Sequence, residues 1–326
     1  MKHFYGSFII AIIGIGIAFF IGGLEAAYIT FLLSLLEVSL SFDNAVVNAK
    51  VLKDMSPKWQ HRFLTWGMVI AVFGMRFLFP ILIVMVVSGL GLIDTVQLAL
   101  KEPLKYSEIL STHENLIYAF GASFLLMVFW EFLFDEEKEV NWIKPLEDNI
   151  VTNKLKQIEN IGLIITISIG IYLTYLLQDY KIAIAFFLGM LINALLNSLD
   201  GVFNTNGVRN GLMGLIYLEV LDASFSFDGV IGAFAISTDV IIIMLGLGIG
   251  AMFVRSLTLY LVEKGTLSEY KYLEHGAHYA ILVLALIMIL NIHWTHVSDI
   301  VTGTIGIALI GIAFLHSYIE NKRDKA

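Results

Sequence analysis

Apolar residues run through this chain in long blocks, separated by short polar stretches, with no strand-like alternation. A membrane-spanning helix takes about 20 mostly apolar residues, because a hydrocarbon core of about 30 Å is crossed at about 1.5 Å per residue. Ten blocks reach or approach that length, at 4–22, 26–49, 62–90, 115–134, 158–178, 181–197, 212–236, 240–262, 277–293 and 298–318. The pattern predicts an all-α, polytopic transmembrane helix bundle.

Composition agrees. Of 326 residues, 58% are hydrophobic and 15% charged, and the mean hydropathy is +0.82. A soluble domain carries about 25% charged residues. The bilayer is therefore the first expected partner. There is no cysteine, which excludes disulfides, thiolate metal centres, cysteine-linked haem and a cysteine nucleophile. No prosthetic group is expected. The 20 Lys and Arg against 28 Asp and Glu give a net charge of -8 without a dense basic tract, so nucleic acid is not an expected partner. A homo-oligomer is left open.

Cytoplasmic loops of membrane proteins are enriched in Lys and Arg. With ten spans, the side that holds the N-terminus collects Lys2, Lys50, Lys53, Lys58, Arg62, Lys138, Lys144, Lys154, Lys156, Arg209, Lys264, Lys271, Lys322, Arg323 and Lys325. The other side has only Lys101, Lys105 and Lys181, while Arg76 and Arg255 fall inside spans. Both termini are therefore expected in the cytoplasm. The first block could be read as a signal peptide, but its segment IAFFIG at 17–22 recurs as IAFFLG at 184–189.

That recurrence belongs to a larger repeat. EVSLSFDNAV at 37–46 matches DASFSFDGVI at 222–231. The match pairs Glu37 with Asp222, Ser39 with Ser224, Ser41 with Ser226, Phe42 with Phe227 and Asp43 with Asp228, while Gly229 stands where Asn44 would recur. The following span in each half carries an arginine nine residues after a glycine, Gly67 to Arg76 and Gly246 to Arg255. The expected units are residues 1–178 and 179–326, two five-helix repeats of one integrated membrane domain. Five is odd, so the second copy is inverted, and inverted repeats often hold a substrate site near the midplane.

A charge at the bilayer centre costs about 2.5 to 3.5 kcal/mol on insertion scales, so the acids Glu37, Asp43, Asp222 and Asp228 need a reason. Ion pairing with Arg76 and Arg255 would make them structural, but four acids exceed two arginines. A cation path is the functional reading. Its candidate ligands are Asp43, Asp228, Asn44, Glu37, Asp222, Ser41 and Ser226, with Arg76 and Arg255 compensating charge. All the ligands present oxygen, which suits hard divalent cations such as Mg²⁺, Ca²⁺ and Mn²⁺. At 100° per residue, Glu37, Ser41, Asn44 and Asn48 share one stripe, and Glu37 and Asp43 point about 120° apart on an unbroken helix. Gly229 suggests an interruption of the seventh span, and Pro80 a kink near Arg76. Asn193 and Asn197 on the sixth span suit helix-to-helix hydrogen bonding at least as well as a substrate role.

The paired motifs resemble the TerC family of integral membrane proteins, specifically its longer bacterial branch without soluble domains. The resemblance implies a bacterial inner-membrane protein related to tellurium resistance and manganese export. It also implies that Asp43, Asn44 and Asp228 bind metal, with Glu37 and Asp222 as the preceding acids. Together with the residue reading, the expected function is secondary export of Mn²⁺ as substrate. No enzyme activity is expected, and a membrane scaffold with a structural polar core is the alternative.

Overall fold

The computed structural model describes residues 2–67, 69–135, 138, 140–203, 211–237, 239–294, 297 and 299–323. The side chains of Ser226 and Asp228 lie outside what is described, although their backbone belongs to a helix. Among the described residues the regular structure is entirely helical.

The first two predicted spans meet in one element, α1 (Tyr5–Leu40), which is broken inside at Gly22 and Gly23. Gly23 adopts φ 70° and ψ -154°, a conformation open in practice to glycine alone. There the chain reverses. Before the break, Ser7 Oγ donates to the Met252 carbonyl and shares a hydrogen bond with Ser256 Oγ, and Gly14 lies against Ile249 and Leu245. After it, Thr30 and Leu33 lie against Gly246, and Ser34 and Glu37 against Gly250. The first arm of α1 thus runs antiparallel to α13 (Val240–Glu263), and the second arm runs parallel to it. Gly246 and Gly250 of α13 let the second arm approach closely, and Gly14 of α1 does so for the first, the small-residue packing that membrane helices favour.

Ser41 (φ -102°, ψ 17°) separates α1 from α2 (Phe42–Asp54). After the short α3 (Pro57–Arg62), the third predicted span is built from π-helical segments, Phe63–Gly67 and Ile70–Leu78, followed by α4 (Phe79–Ser88). Pro80 has no N–H for the carbonyl four residues before it, which is that of Arg76, and a proline ring crowds that carbonyl as well. The widened π winding ends at Leu78, immediately before α4. The expected disturbance near Arg76 is therefore a π segment rather than a simple kink.

Beyond it lie α5 (Leu92–Lys101) and α6 (Pro103–Thr112), then α7 (Glu114–Leu133), which is buried along nearly its whole length. A helix that is apolar all round belongs at the centre, and α7 packs between α11 (Tyr180–Phe203) and α15 (Leu273–His293). Short α8 (Lys144–Glu147) and α9 (Ile150–Lys156) precede α10 (Ile161–Leu177), with a 102° bend between α9 and α10. The remaining elements are α12 (Gly211–Ile236), α14 (Thr266–Glu269) and α16 (Asp299–Arg323).

Six helices among the described residues are long and apolar enough to cross a membrane, or seven if the bent α9 and α10 pair counts as one. This is fewer than ten blocks, for identifiable reasons. The first two blocks merge in α1, and the third is divided among shorter elements. Residues 212–236 form α12, whose apolar length is interrupted by Glu219, Asp222 and Asp228. Large apolar side chains face outward on the first arm of α1, on α10, on α11 and on α16, with Phe20 90% exposed. Monomeric soluble proteins rarely show apolar surface of this extent.

Candidate functional site

α12 and the chain from α1 into α2 lie side by side in opposite directions: Gly229 faces Glu37 and Leu40, while Asn44 reaches Asp222. The two sequence motifs therefore meet. Glu37 is 0% exposed. Its Oε1 accepts hydrogen bonds from Ser41 Oγ at 2.8 Å and Arg76 Nη2 at 2.5 Å. The Ser41 bond joins the residue that separates the two helices back to α1. Arg76 Nη1 lies 3.5 Å from Asp222 Oδ2, and the Asn44 side-chain amide donates to Asp222 Oδ1. One arginine thus joins the acids of both motifs.

Three buried acceptors in this stripe have no hydrogen-bond partner among the described residues: Glu37 Oε2, Asn44 Oδ1 and Asn48 Oδ1. Buried polar atoms are nearly always satisfied, so these three, spread over about three turns of helix, are oxygens left open to an added donor or cation. Gly250 lies beside Glu37 and close to the middle of the 24-residue α13, so the cluster sits about halfway along that helix.

A second ion pair lies five residues farther along α13, about 7.5 Å at helical rise. Arg255 Nη2 is 3.1 Å from Glu219 Oε1, its Nη1 donates to the Phe63 carbonyl at 2.7 Å, and its guanidinium stands 4.2 Å from the Phe63 ring centre. Gly67 borders both charged groups, and a Cβ there would collide with them. The sequence assigns Arg255 to charge compensation for the motif acids; among the described residues its acidic partner is Glu219. That glutamate escaped the repeat comparison because Ser34 occupies the corresponding place 185 residues earlier.

Asp43 is 5% exposed but is not part of the Arg76 cluster. Its Oδ1 accepts the Asn44 backbone N–H at 2.9 Å, and its side chain lines a separate cavity against α15 and α16. Ser41 joins the cluster through Glu37, whereas Ser226 and Asp228 fall outside the described side chains. The break expected at Gly229 is found at Ser41, and α12 continues unbroken through Gly229. Among the described residues, no three carboxylates or imidazoles converge as a ready metal centre. Asn197 hydrogen-bonds both Glu131 and Asn193, linking α7 to α11, the packing role expected of the asparagine pair.

At the end of the bundle where α15 begins, Glu147 is wholly buried. It accepts from Lys138 Nζ at 2.9 Å, from the backbone N–H groups of Trp142 and Ile143, and from Tyr279 Oη, and lies 3.3 Å from His275 Nε2. Burial works against its ionisation, but the hydrogen bonds from His275, Ile143 and Lys138 hold it below the usual carboxylate range. Sequence reading overlooked it because its partners come from separated segments.

No curated protein matches the chain, and no solved structure does. A family model described as a protein of unknown function, DUF475, matches residues 42–324, from the start of α2 to the end of α16. The likeness to the TerC family rests on the two motifs alone. The extent of the match shows that the chain belongs to the DUF475 family.

Proposed function

We propose that this protein is a secondary transporter that exports a divalent cation, Mn²⁺ foremost, through a site shared by two inverted halves. In this reading Glu37, Asp222, Asn44 and Ser41 supply oxygen ligands, and Arg76 neutralises the carboxylates when the cation is absent. Asp228 and Ser226 belong to the same proposed site by their place in the second motif. The observation that carries the reading is the set of unsatisfied acceptors, Glu37 Oε2, Asn44 Oδ1 and Asn48 Oδ1, beside an arginine shared by both motifs. Hard oxygen ligands of this kind favour Mn²⁺, Mg²⁺ or Ca²⁺ over softer metals.

The helix directions support ten crossings. The first arm of α1 opposes α13, its second arm follows α13, and α12 opposes the chain from α1 into α2. Those senses are what parity requires if the arms are spans one and two and α12 and α13 are spans seven and eight. The proposed location is a bacterial inner membrane with both termini in the cytoplasm. Energy comes from an ion gradient or the membrane potential, since no nucleotide-binding motif is present.

The ion pairs of Arg76 and Arg255 favour a second reading, a scaffold whose polar core is structural. Measuring cellular Mn content and ⁵⁴Mn²⁺ efflux with and without overexpression separates the two. Transport predicts lower Mn content and faster efflux on overexpression. Unaltered Mn handling at normal abundance, with Mg²⁺ and Ca²⁺ also unaffected, would sink the transport reading.

A further inference from the structure

The short helix α9 meets α10 at 102°, so with α10 crossing a bilayer α9 lies nearly in the plane of its surface. Its residues agree with that placement: Ile150 and Val151 are exposed, and Lys154 and Lys156 occupy its last turn. Exposed apolar side chains and lysines on one helix suit the headgroup level of a membrane. Beside the bend is a cavity of about 450 Å³, walled by residues of α7, α9, α10 and α11. That volume falls within the range of about 300 to 1,000 Å³ usual for ligand pockets.

The wall carries charges of both signs that do not neutralise each other. Lys156 and Glu159 both line it, three residues apart across the turn that leads into α10. Among the described residues neither has an ion-pair partner, and they do not pair with each other; Lys156 Nζ donates to the Asp135 carbonyl at 3.5 Å. The nearby Lys138 is held by Glu147, and Glu131, the second carboxylate of the wall, accepts from the Asn197 amide. A cation and an anion on one wall, each without a counter-charge, match a ligand that brings both. The aromatic part of the wall is Trp130 and Phe134, whose rings stack with centres 5.6 Å apart. One stacked slab is not the enclosing cage that a quaternary ammonium takes, whereas a primary ammonium needs acceptors for its three hydrogens. Toward the membrane interior, Ile164, Ile167 and Ile171 of α10 and Leu191 and Leu195 of α11 face outward, a surface suited to acyl chains.

We infer that this cavity binds the headgroup of a phospholipid with a primary amine, phosphatidylethanolamine, its phosphate on Lys156 and its ammonium on Glu159. A purely anionic headgroup would use Lys156 but would bring no positive charge to Glu131 and Glu159. The inference needs α10 to cross a membrane and is independent of what the protein transports.

The test uses purified full-length protein, stripped of lipid in detergent and offered an equimolar mixture of phosphatidylethanolamine, phosphatidylcholine and phosphatidylglycerol with identical chains. Native mass spectrometry reads the first lipid bound. Wild type should take the ethanolamine lipid about tenfold over the other two, the difference that one charge-assisted hydrogen bond makes. Glu159→Gln should bring the ethanolamine and choline lipids level. Lys156→Gln should weaken all three, while Lys156→Arg, which keeps the charge, should bind as wild type does. Neither side chain is in an ion pair, so all three variants should melt with wild type. A wild type that prefers phosphatidylglycerol, or has no preference, would overturn the inference, as would an unchanged ethanolamine preference in Glu159→Gln. Equal losses in Lys156→Arg and Lys156→Gln would also overturn it, by removing the phosphate contact. So would displacement of the bound lipid by equimolar glycerophosphoethanolamine, a headgroup without chains.

Discussion

Glu37 and Gly229 face each other across the two motifs, so closely that a Cβ at position 229 would stand 3.0 Å from Glu37 Oε2. The glycine that replaces the first motif's asparagine thus leaves room for the carboxylate oxygen that has no hydrogen-bond partner among the described residues. Gly229→Ala should be tolerated with a small loss of transport, because the carboxylate end can shift by a few tenths of an ångström. Gly229→Asn should lower apparent Mn²⁺ affinity by about tenfold or more, since displacing one oxygen partner of a charged group costs roughly that much. Concentration-dependent ⁵⁴Mn²⁺ efflux at matched abundance measures both. Equal affinity in the two variants would place the substrate away from Glu37.

Arg76 is the sole described cationic partner of Glu37, and its removal leaves Glu37 and Asp222 buried together. Arg76→Met should destabilise the protein by about 3 to 5 kcal/mol, the usual cost of orphaning one member of a buried pair. Adding Glu37→Gln should recover a large part of that loss, because the two residues are coupled. Thermal unfolding in detergent across the four-member cycle tests this. Additive losses would mean that the pair contributes packing and little electrostatics.

The Lys50–Glu274, Lys138–Glu147 and Lys271–Glu320 pairs gather cationic residues from distant parts of the sequence at one end of the bundle. His3 and Glu263 also pair there, the latter at the end of α13. Reporter fusions at Lys53, Lys144 and Lys271 should therefore read as cytoplasmic, and fusions at Glu102 and Asp239 as external. A cytoplasmic signal at Glu102 would refute the inverted ten-span topology.

Glu147 offers a stability test outside the spans. Its pKa is lowered in the folded protein, so its contribution is fully present above the ordinary glutamate value of 4.5 and is lost as pH falls from there toward the folded value. Glu147→Gln should melt well below wild type at neutral pH, and the gap should narrow progressively below pH about 4.5. A gap that stays constant with pH would assign the loss to shape or hydrogen bonding alone.

What the sequence made legible follows from its kind of signal. Repetition exposed Glu37, Asp222 and Arg76, since each has a counterpart in the other half, and these three are in contact. The gap between blocks 4–22 and 26–49 located the reversal at Gly22 and Gly23, where backbone freedom is local information. Repetition is blind to Glu219, which has no acidic counterpart in the first half. The site of helix interruption was misplaced for a related reason. Gly229 is permissive of a break, but a permissive residue remains helical where packing against Glu37 holds it, whereas Ser41 has a hydroxyl partner that accompanies the break.

The strictest test concerns Glu37 and Asp222, one from each motif and both contacting Arg76. A hard divalent ion with about six oxygen ligands cannot be satisfied by either motif alone, so the two carboxylates should act as one unit. Glu37→Gln and Asp222→Asn preserve side-chain size while removing one negative charge each. Either alone should reduce Mn²⁺ efflux by about 100-fold, the scale expected when about 3 kcal/mol of charged interaction is lost. The double variant should be scarcely slower than either single one, because residues that serve one site are strongly non-additive. Membrane abundance should remain normal in the two single variants, where one carboxylate still faces Arg76, and the efflux of the double variant is compared at matched abundance. Efflux losses that multiply in the double variant would show two independent roles, and loss of abundance in every variant would favour the scaffold.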